Sequence, residues 1–256
     1  MNGRLRRMIK IENAETFGWE AAIRGMRNPL NSWDKSDSHH EPMFENVTLS
    51  DGTGCIKTQT GTTYIVGPND LDLMKRLRDA GTDHRKFMRM ITVYVDITAP
   101  LYWWKQFDTY KVGTVANSCS TMHKITAKEF TLDDFSHEHL FSKEEWERDT
   151  GTLDALEVII KILNKYRDLY INGEILNKGI KGAEVVVHEP KDKFFWWQMI
   201  QLLPSSYNQK RTVMLNYEVL TNMYKSRKNH KLDEWHDFCD WIETLPYSEL
   251  ITGEEK

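Results

Sequence analysis

The feature that most limits how this chain can fold lies between Met90 and Ile125, where a strand pattern, an aromatic helix and a polar segment follow one another without a break. Met90, Thr92 and Tyr94 alternate with Ile91, Val93 and Val95, the period of a mostly buried strand. APLYWWKQFDTYKVGTVANSCSTMHKI follows, in which aromatic bulk gives way to Thr, Ser, Asn and Cys. Aromatic side chains beside small hydroxylated ones suggest a wall next to a polar pocket. A helix from Asp70 to Ala80 precedes the strand, with Leu71, Leu73, Met74 and Leu77 on its apolar face. Asn69 is its expected cap, and Gly81 its stop. The local order is helix, strand, helix, polar loop.

Elsewhere the periodicity is helical. Glu15 to Arg27 reads as a short helix, and Ser142 with Glu145 forms a capping box. A long helix runs from about Thr152 to Ile171, its Leu153, Leu156, Ile159, Ile160, Leu163 and Tyr166 at core spacing. Helices at Phe194 to Leu203, Leu215 to Lys228 and Lys231 to Thr244 close the chain. Thr48 to Thr63 reads as a hairpin turned by SDGTG, and AEVVVH, within Lys178 to Pro190, as a short strand or an extended linker. The loop NPLNSWDKSDSHHEP carries Arg24 and Arg27 just before it and Asn28, Asn31, Ser32, Trp33, Asp34 and Ser36 within it. These residues suit either a ligand site or a plain surface excursion.

With 256 residues, 40% of them hydrophobic and 28% charged, the chain can bury one sizeable core, and one domain over 1–256 is expected. Within it, 1–16 form an arm or first strand and 28–68 a variable loop and hairpin region. No apolar run approaches the roughly 18 residues of a membrane helix, and MNGRLRRMIK lacks a signal-peptide core, so a cytoplasmic location is expected. A formal net charge of −4 argues against a general nucleic-acid binder. Cys55, Cys119 and Cys239 are too scattered for a disulfide framework or a zinc site. The histidines, including His39, His40, His137 and His139, have no metal-site spacing, so no metal is expected. Trp103–Trp104 and Trp196–Trp197 serve either as core and contact residues or as stacking platforms.

Two stretches, Asp70 to Ile125 and Phe194 to Ile242, resemble the flavin-dependent thymidylate synthases. That family's Gln, Arg-His-Arg and Glu-x-Ser-x-Arg pattern falls on Gln106, on Thr109, Tyr110 and Lys111, and on Asn117, Cys119 and Thr121. Its Leu-Pro, Asn and helix-terminal Arg fall on Leu203, Pro204, Asn216, Leu220, Asn222 and Arg227, followed by Glu234. Three family cations are neutral here, at Thr109, Thr121 and Ile200, and Glu218 stands where the family often has Arg.

The resemblance implies an α+β fold in which helices flank a small antiparallel sheet. It implies a divergent enzyme that reductively methylates dUMP or makes a related C5 change on a pyrimidine deoxynucleotide, as a methyltransferase of pyrimidine metabolism. FAD is the implied cofactor, with NADPH and methylene-tetrahydrofolate only if the family reaction is kept. Active sites shared between subunits of a homotetramer are implied as well. Arg227 and Cys119 are the catalytic candidates. Gln106, Asn117, Cys119 and Arg227 are the candidates for the nucleotide, and Lys111, Asn216 and Asn222 for the flavin. A thiol at Cys119 attacks a pyrimidine only if a cation or helix end lowers its pKa, and Lys111 and His123 are the nearby candidates in sequence. Lys105, Lys124, Lys210 and Arg211 are the cations available to replace the missing ones at the phosphate. The alternative is a nucleotide-binding or interaction protein that retains the fold without redox chemistry.

Overall fold

The computed structural model describes residues 8–48, 55–146, 150–178 and 184–253. A four-stranded antiparallel sheet stands at its centre, in the order β1 (Lys10–Phe17), β4 (Thr92–Pro100), β8 (Asn208–Asn216), β5 (Val115–Ser118). The period-two pattern puts Val93, Val95, Ile97 and Ala99 on one face, beside Val213 and Leu215, all buried. That face is covered by α3 (Leu101–Phe107), α8 (Tyr217–Arg227) and α9 (Asp233–Glu243), joined by α1 (Trp19–Arg27), α2 (Pro68–Asp79) and α10 (Glu249–Thr252) around one hydrophobic cluster. A second cluster lies between α6 (Thr152–Asn172) and α7 (Lys193–Leu202), with Leu156, Ile160, Leu163 and Met199 against Phe130 and Phe135. The helices α4 (Thr121–Lys124) and α5 (Lys143–Trp146) are single turns. Among the described residues no helix is long and apolar enough to cross a membrane.

Several boundaries differ from the sequence reading. Residues read as the start of the first helix belong to β1, which pairs with β4 through Phe17 and is followed by Gly18 at φ +94°. A Cβ there would lie 2.0 Å from the carbonyl oxygen of Met90, so only glycine turns this corner. The hairpin is longer than read, β2 (His39–Thr48) with β3 (Cys55–Ile65), and its expected turn at 49–54 lies outside the described residues. AEVVVH contributes β7 (Glu184–His188), paired with β6 (Glu174–Lys178). Leu215 and Asn216 end β8 rather than open a helix, because Leu215 sits opposite Val93 in the ladder.

Asn69 lies inside α2 and does not cap it. Pro68 is its first residue, and the carboxylate of Asp37 accepts from the backbone N–H of Asn69 at 2.9 Å and of Asp70 at 3.1 Å. Gly81 does end the helix, at φ +107°. The box at Ser142 and Glu145 forms in both directions, and α6 runs as read to within one residue. Trp103 and Trp104 are fully buried in the main cluster, while Trp197 is exposed.

The 31–38 loop is a structural knot. Arg27 and Ser32 are buried, and Arg27 donates through Nε to the buried Asp70 at 2.6 Å and through its terminal nitrogens to the carbonyls of Ser32 and Lys35. The hydroxyls of Ser36 and Ser38 donate to the other Asp70 oxygen. Arg24 pairs with Glu20 in solvent, and Trp33 donates to Asn28. Hydrogen bonds within the protein thus account for most of the polar groups here that suited a ligand.

Candidate functional site

Helix α3 follows Pro100 and buries Trp103, Trp104 and Phe107 against the sheet. Tyr102 and Gln106, four residues apart, share the face turned toward α9. Tyr102 donates to the buried carboxylate of Glu234 and lies 3.1 Å from the hydroxyl of Ser136, which in turn donates to Glu138. Burial, reinforced by Glu234, raises the Tyr102 phenol above its ordinary range. This chain pins the start of α3 to the start of α9.

One turn further, Gln106 Oε1 accepts from Trp235 Nε1 at 2.8 Å and from Arg227 Nη1 at 3.2 Å. Neither partner nitrogen can accept a hydrogen bond, so the amide is fixed with its oxygen inward and its NH₂ turned away from both. Arg227, the last residue of α8, also donates through Nε to Tyr110 at 3.0 Å. Its guanidinium carbon lies 4.7 Å from the Trp235 ring centroid and 5.5 Å from that of Tyr110. His230 accepts the backbone N–H of Leu232 at Nδ1. Burial and the Arg227 charge push its pKa below the usual value, so it adds no cation at neutral pH.

The second group of candidates surrounds the start of α8. Asn216 is its N-cap, Oδ1 accepting from Val219 at 2.9 Å. Gly113, at φ +81°, presses against that side chain, and a Cβ there would lie 2.4 Å from Asn216 Nδ2. The loop carrying the exposed Lys111 is thereby held against the cap. Gly113→Ala combines a strained φ with displacement of a capping residue, so a loss of about 1–3 kcal/mol in unfolding free energy is expected from urea titration. Asn222 is exposed further along α8, on the helix rather than at its cap. Glu218 is not an unmatched reversal of charge. Arg89 binds it through Nε and through Nη2 at 3.3 Å, with Arg85 Nε at 3.5 Å. Two arginines against one carboxylate leave a positive surplus beside the helix N-terminus.

Asn117 and Cys119 lie on and just after β5, both exposed. Asn117 stands opposite Thr212, and Cys119 is fixed by its backbone, donating to Lys210 O and accepting from Gln209 Nε2. Among the described contacts none joins Cys119 to Gln106, Arg227, Lys111 or His123. Lys210, whose carbonyl oxygen accepts the Cys119 N–H, has its own ammonium held by Asp96 at 3.0 Å and Glu12 at 3.8 Å. Arg211 is likewise engaged, by Asp108 at 2.8 Å and over the Trp104 ring at 4.2 Å. Lys105 and Lys124 are exposed. The structure therefore joins Gln106 to Arg227 and the Lys111 loop to Asn216, and leaves Asn117 and Cys119 as a separate strand-edge pair. Of the two aromatic residues that hold Arg227, the family pattern falls on Tyr110 without giving it this role, and Trp235 lies outside the pattern. Aromatic residues within reach of a helix-terminal arginine were the available signal.

A cavity of about 910 Å³ lies elsewhere, between the end of β1, the end of β3 and the 241–247 segment, and neither Gln106 nor Arg227 lines it. Among the described residues no group of three His, Cys, Asp or Glu side chains could hold a metal.

No protein-family model matches the sequence, and no curated protein matches it significantly. Solved structures do match the fold. The flavin-dependent thymidylate synthase ThyX from Helicobacter pylori, complexed with FAD and dUMP, aligns with a TM-score of 0.59 at 13% identity over 96% of this chain and 100% of that one. The UMP/dUMP methylase PolB from Streptomyces cacaoi, bound with 5-Br UMP, aligns with a TM-score of 0.54 at 12% identity over 98% of this chain and 96% of that one. The fold of this chain is that of the flavin-dependent thymidylate synthases.

Proposed function

We propose that this protein binds a pyrimidine nucleotide of the uracil type and modifies it at C5 with the help of a flavin. The observation that supports this reading most is the direct bond between Gln106 and Arg227, 121 residues apart in sequence. The outward NH₂ of Gln106 and the guanidinium both donate, so together they suit the acceptor edge of a uracil ring rather than an amino edge. Arg227 would bind that edge and stabilise negative charge developing on the ring. Asn117 and Cys119 would form the nucleotide wall beyond β5. Two of the four cations suggested for the phosphate, Lys210 and Arg211, are engaged by carboxylates. In this reading, the remaining positive charge comes from Lys105, Lys124 or a second subunit of an oligomer with shared sites.

The donor set fits a flavin at the start of α8. Asn216 has an amide nitrogen beyond its capping oxygen, Lys111 lies on the adjoining loop, and Arg85 with Arg89 outweighs Glu218. A pyrophosphate would find donors and a surplus of positive charge there, with Asn222 further along. A bound flavin would supply hydride.

Asn216→Asp separates this role from capping, since it keeps the capping oxygen and loses the donor. Thermal stability should hold while FAD affinity falls about 10- to 150-fold, as for the loss of a hydrogen bond to a charged group. Equal loss of both would reduce Asn216 to a cap. The reading as a whole is tested by titrating the purified protein with FAD, with and without dUMP, while recording the visible absorption spectrum. A flavin spectrum that responds to dUMP supports it. No flavin uptake at tens of micromolar, with dUMP still bound, favours a nucleotide-binding protein that retains the fold without redox chemistry.

A further inference from the structure

The cavity of about 910 Å³ that neither Gln106 nor Arg227 lines has the size of a small-molecule site, roughly 300–1,000 Å³. Three stretches far apart in sequence wall it: 17–24, where β1 turns into α1; the base of the long hairpin, with His40 on β2 and 62–65 on β3; and 241–247 at the end of α9. These walls are tied to one another and to the core. The backbone N–H of Val66, just past β3, donates to the Tyr247 hydroxyl at 3.1 Å, and the hydroxyl of the buried Tyr217 donates to the carbonyl of Pro246.

Tyr247 stands at φ +50°, a left-handed conformation that a bulky residue rarely adopts. Its ring meets Trp19 edge-on with centroids 5.0 Å apart, so contacts at the ring and at the hydroxyl hold the backbone there. Backbone kept in such a conformation by its surroundings clusters at ligand sites.

The lining sorts by depth. Trp19 is buried and Tyr64, Trp241 and Tyr247 are half-buried, whereas the side chains of Glu20 and Arg24 are 52% and 66% exposed. Aromatic walls with charges only at the mouth select a planar ring that carries its charge at one end. The sign of that charge follows from the partners already taken. Among the described lining residues Glu20 is the only carboxylate, and both its oxygens are engaged. Oε1 accepts from Arg24 Nη1 at 3.0 Å, and Oε2 lies 3.4 Å from His40 Nε2. Arg24 gives the protein one of its five N–H donors, so the rest of its guanidinium can receive an anion.

We propose that this cavity is a second small-molecule site, for a planar aromatic compound with one anionic substituent. The ring lies among Trp19, Tyr64, Trp241 and Tyr247, and the anion binds Arg24. The inference does not rest on the nucleotide reading, whose residues lie elsewhere.

Fluorescence titration of the full chain with two probes tests it. Anilinonaphthalene sulfonate carries one anionic group, and phenylnaphthylamine is the same ring system without it. One sulfonate probe should bind per chain, with a dissociation constant on the order of tens of micromolar. Arg24→Gln should weaken the sulfonate probe about two- to fivefold, the scale of a solvent-exposed ion pair, and leave the neutral probe unchanged. Thr62 is exposed on β3 and shares a hairpin face with Tyr64 and His40, so Thr62→Trp narrows the cavity and should exclude both probes. Circular dichroism and thermal melts check that each variant keeps the parent fold. If Thr62→Trp does not, Trp241→Ala replaces it and should weaken both probes about two- to tenfold, the worth of an aromatic contact. Excess dUMP should leave the sulfonate probe in place. Binding that does not saturate at one probe per chain overturns the proposal, as does displacement by dUMP. Sulfonate binding unchanged in Arg24→Gln or in the cavity variant overturns it too, and so does an equal loss of both probes in Arg24→Gln. A chain that holds the probe as described but binds no dUMP sinks only the functional reading.

Discussion

Asp70→Ala is expected to lower the free energy of unfolding by about 3–5 kcal/mol, the range for removing one partner of a buried ion pair. Asp70 is fully buried, and one oxygen accepts from Arg27 while the other accepts from the hydroxyls of Ser36 and Ser38 and the amides of Asp37 and Ser38. Its loss leaves the Arg27 guanidinium buried beside uncompensated donors and removes four hydrogen bonds between the 31–38 loop and α2, with Asp37 still capping the helix. Urea denaturation should show the change as a lower midpoint. Arg27→Met together with Asp70→Ala should cost less than the two single changes summed, because neither charge is then stranded.

The pH dependence has a definite sign. Burial alone would raise the Asp70 pKa, but bonds from Ser36, Ser38 and Arg27 outweigh it and hold the carboxyl below its ordinary 3.8. A depressed folded pKa stabilises the fold at pH values above the unfolded one. That contribution disappears as pH falls through the folded value. The gap between parent and Asp70→Ala should therefore be largest above about pH 4 and shrink below it. A destabilisation under 1 kcal/mol at neutral pH would mean the loop holds to α2 without this carboxylate.

The same knot shows what the sequence could and could not reveal. Arg27, Ser32 and Ser36 suited a ligand as well as a surface loop, and the residue that decides the matter, Asp70, is 43 positions from Arg27. Local reading found the interior of β4 and of the longer helices, because periodicity is a local property, and passed over β8 and most of β2. The strand from Thr92, the apolar stripe of α6 and the box at Ser142 needed no knowledge of neighbours. It failed where a neighbour decides. Leu215 continues an apolar run into α8 and reads as helix, yet the ladder opposite Val93 takes it. Glu218 reads as a reversed charge until the 85–90 turn brings two arginines to it. The site behaves likewise, since Gln106 and Arg227 each match the family pattern, whereas the Trp235 indole that fixes the amide becomes visible only when α3 packs on α9.

Arg227→Ala is expected to abolish the response of bound flavin to dUMP and to weaken dUMP binding about 10- to 150-fold, the equivalent of 1.5–3 kcal/mol for a charged hydrogen bond. Isothermal titration with dUMP and the flavin absorption spectrum measure the two effects. A helix-end arginine also stabilises its helix by about 0.3–1 kcal/mol, so the control is a melt. Lower stability with unchanged dUMP affinity would assign Arg227 to its helix alone. Arg227→Lys keeps the charge but loses the fork that meets Gln106 and Tyr110 together, and should recover only part of the affinity. Trp235→Phe is the finer test. It keeps an aromatic ring under the guanidinium but removes the shorter of the two N–H bonds that hold Gln106 Oε1, leaving Arg227 Nη1 alone to orient the amide, so its oxygen turns toward the ligand more often. A site that recognises an acceptor edge should then lose discrimination between uracil and cytosine nucleotides more than it loses affinity. Equal weakening toward both would mean that Gln106 supports Arg227 without reading the base.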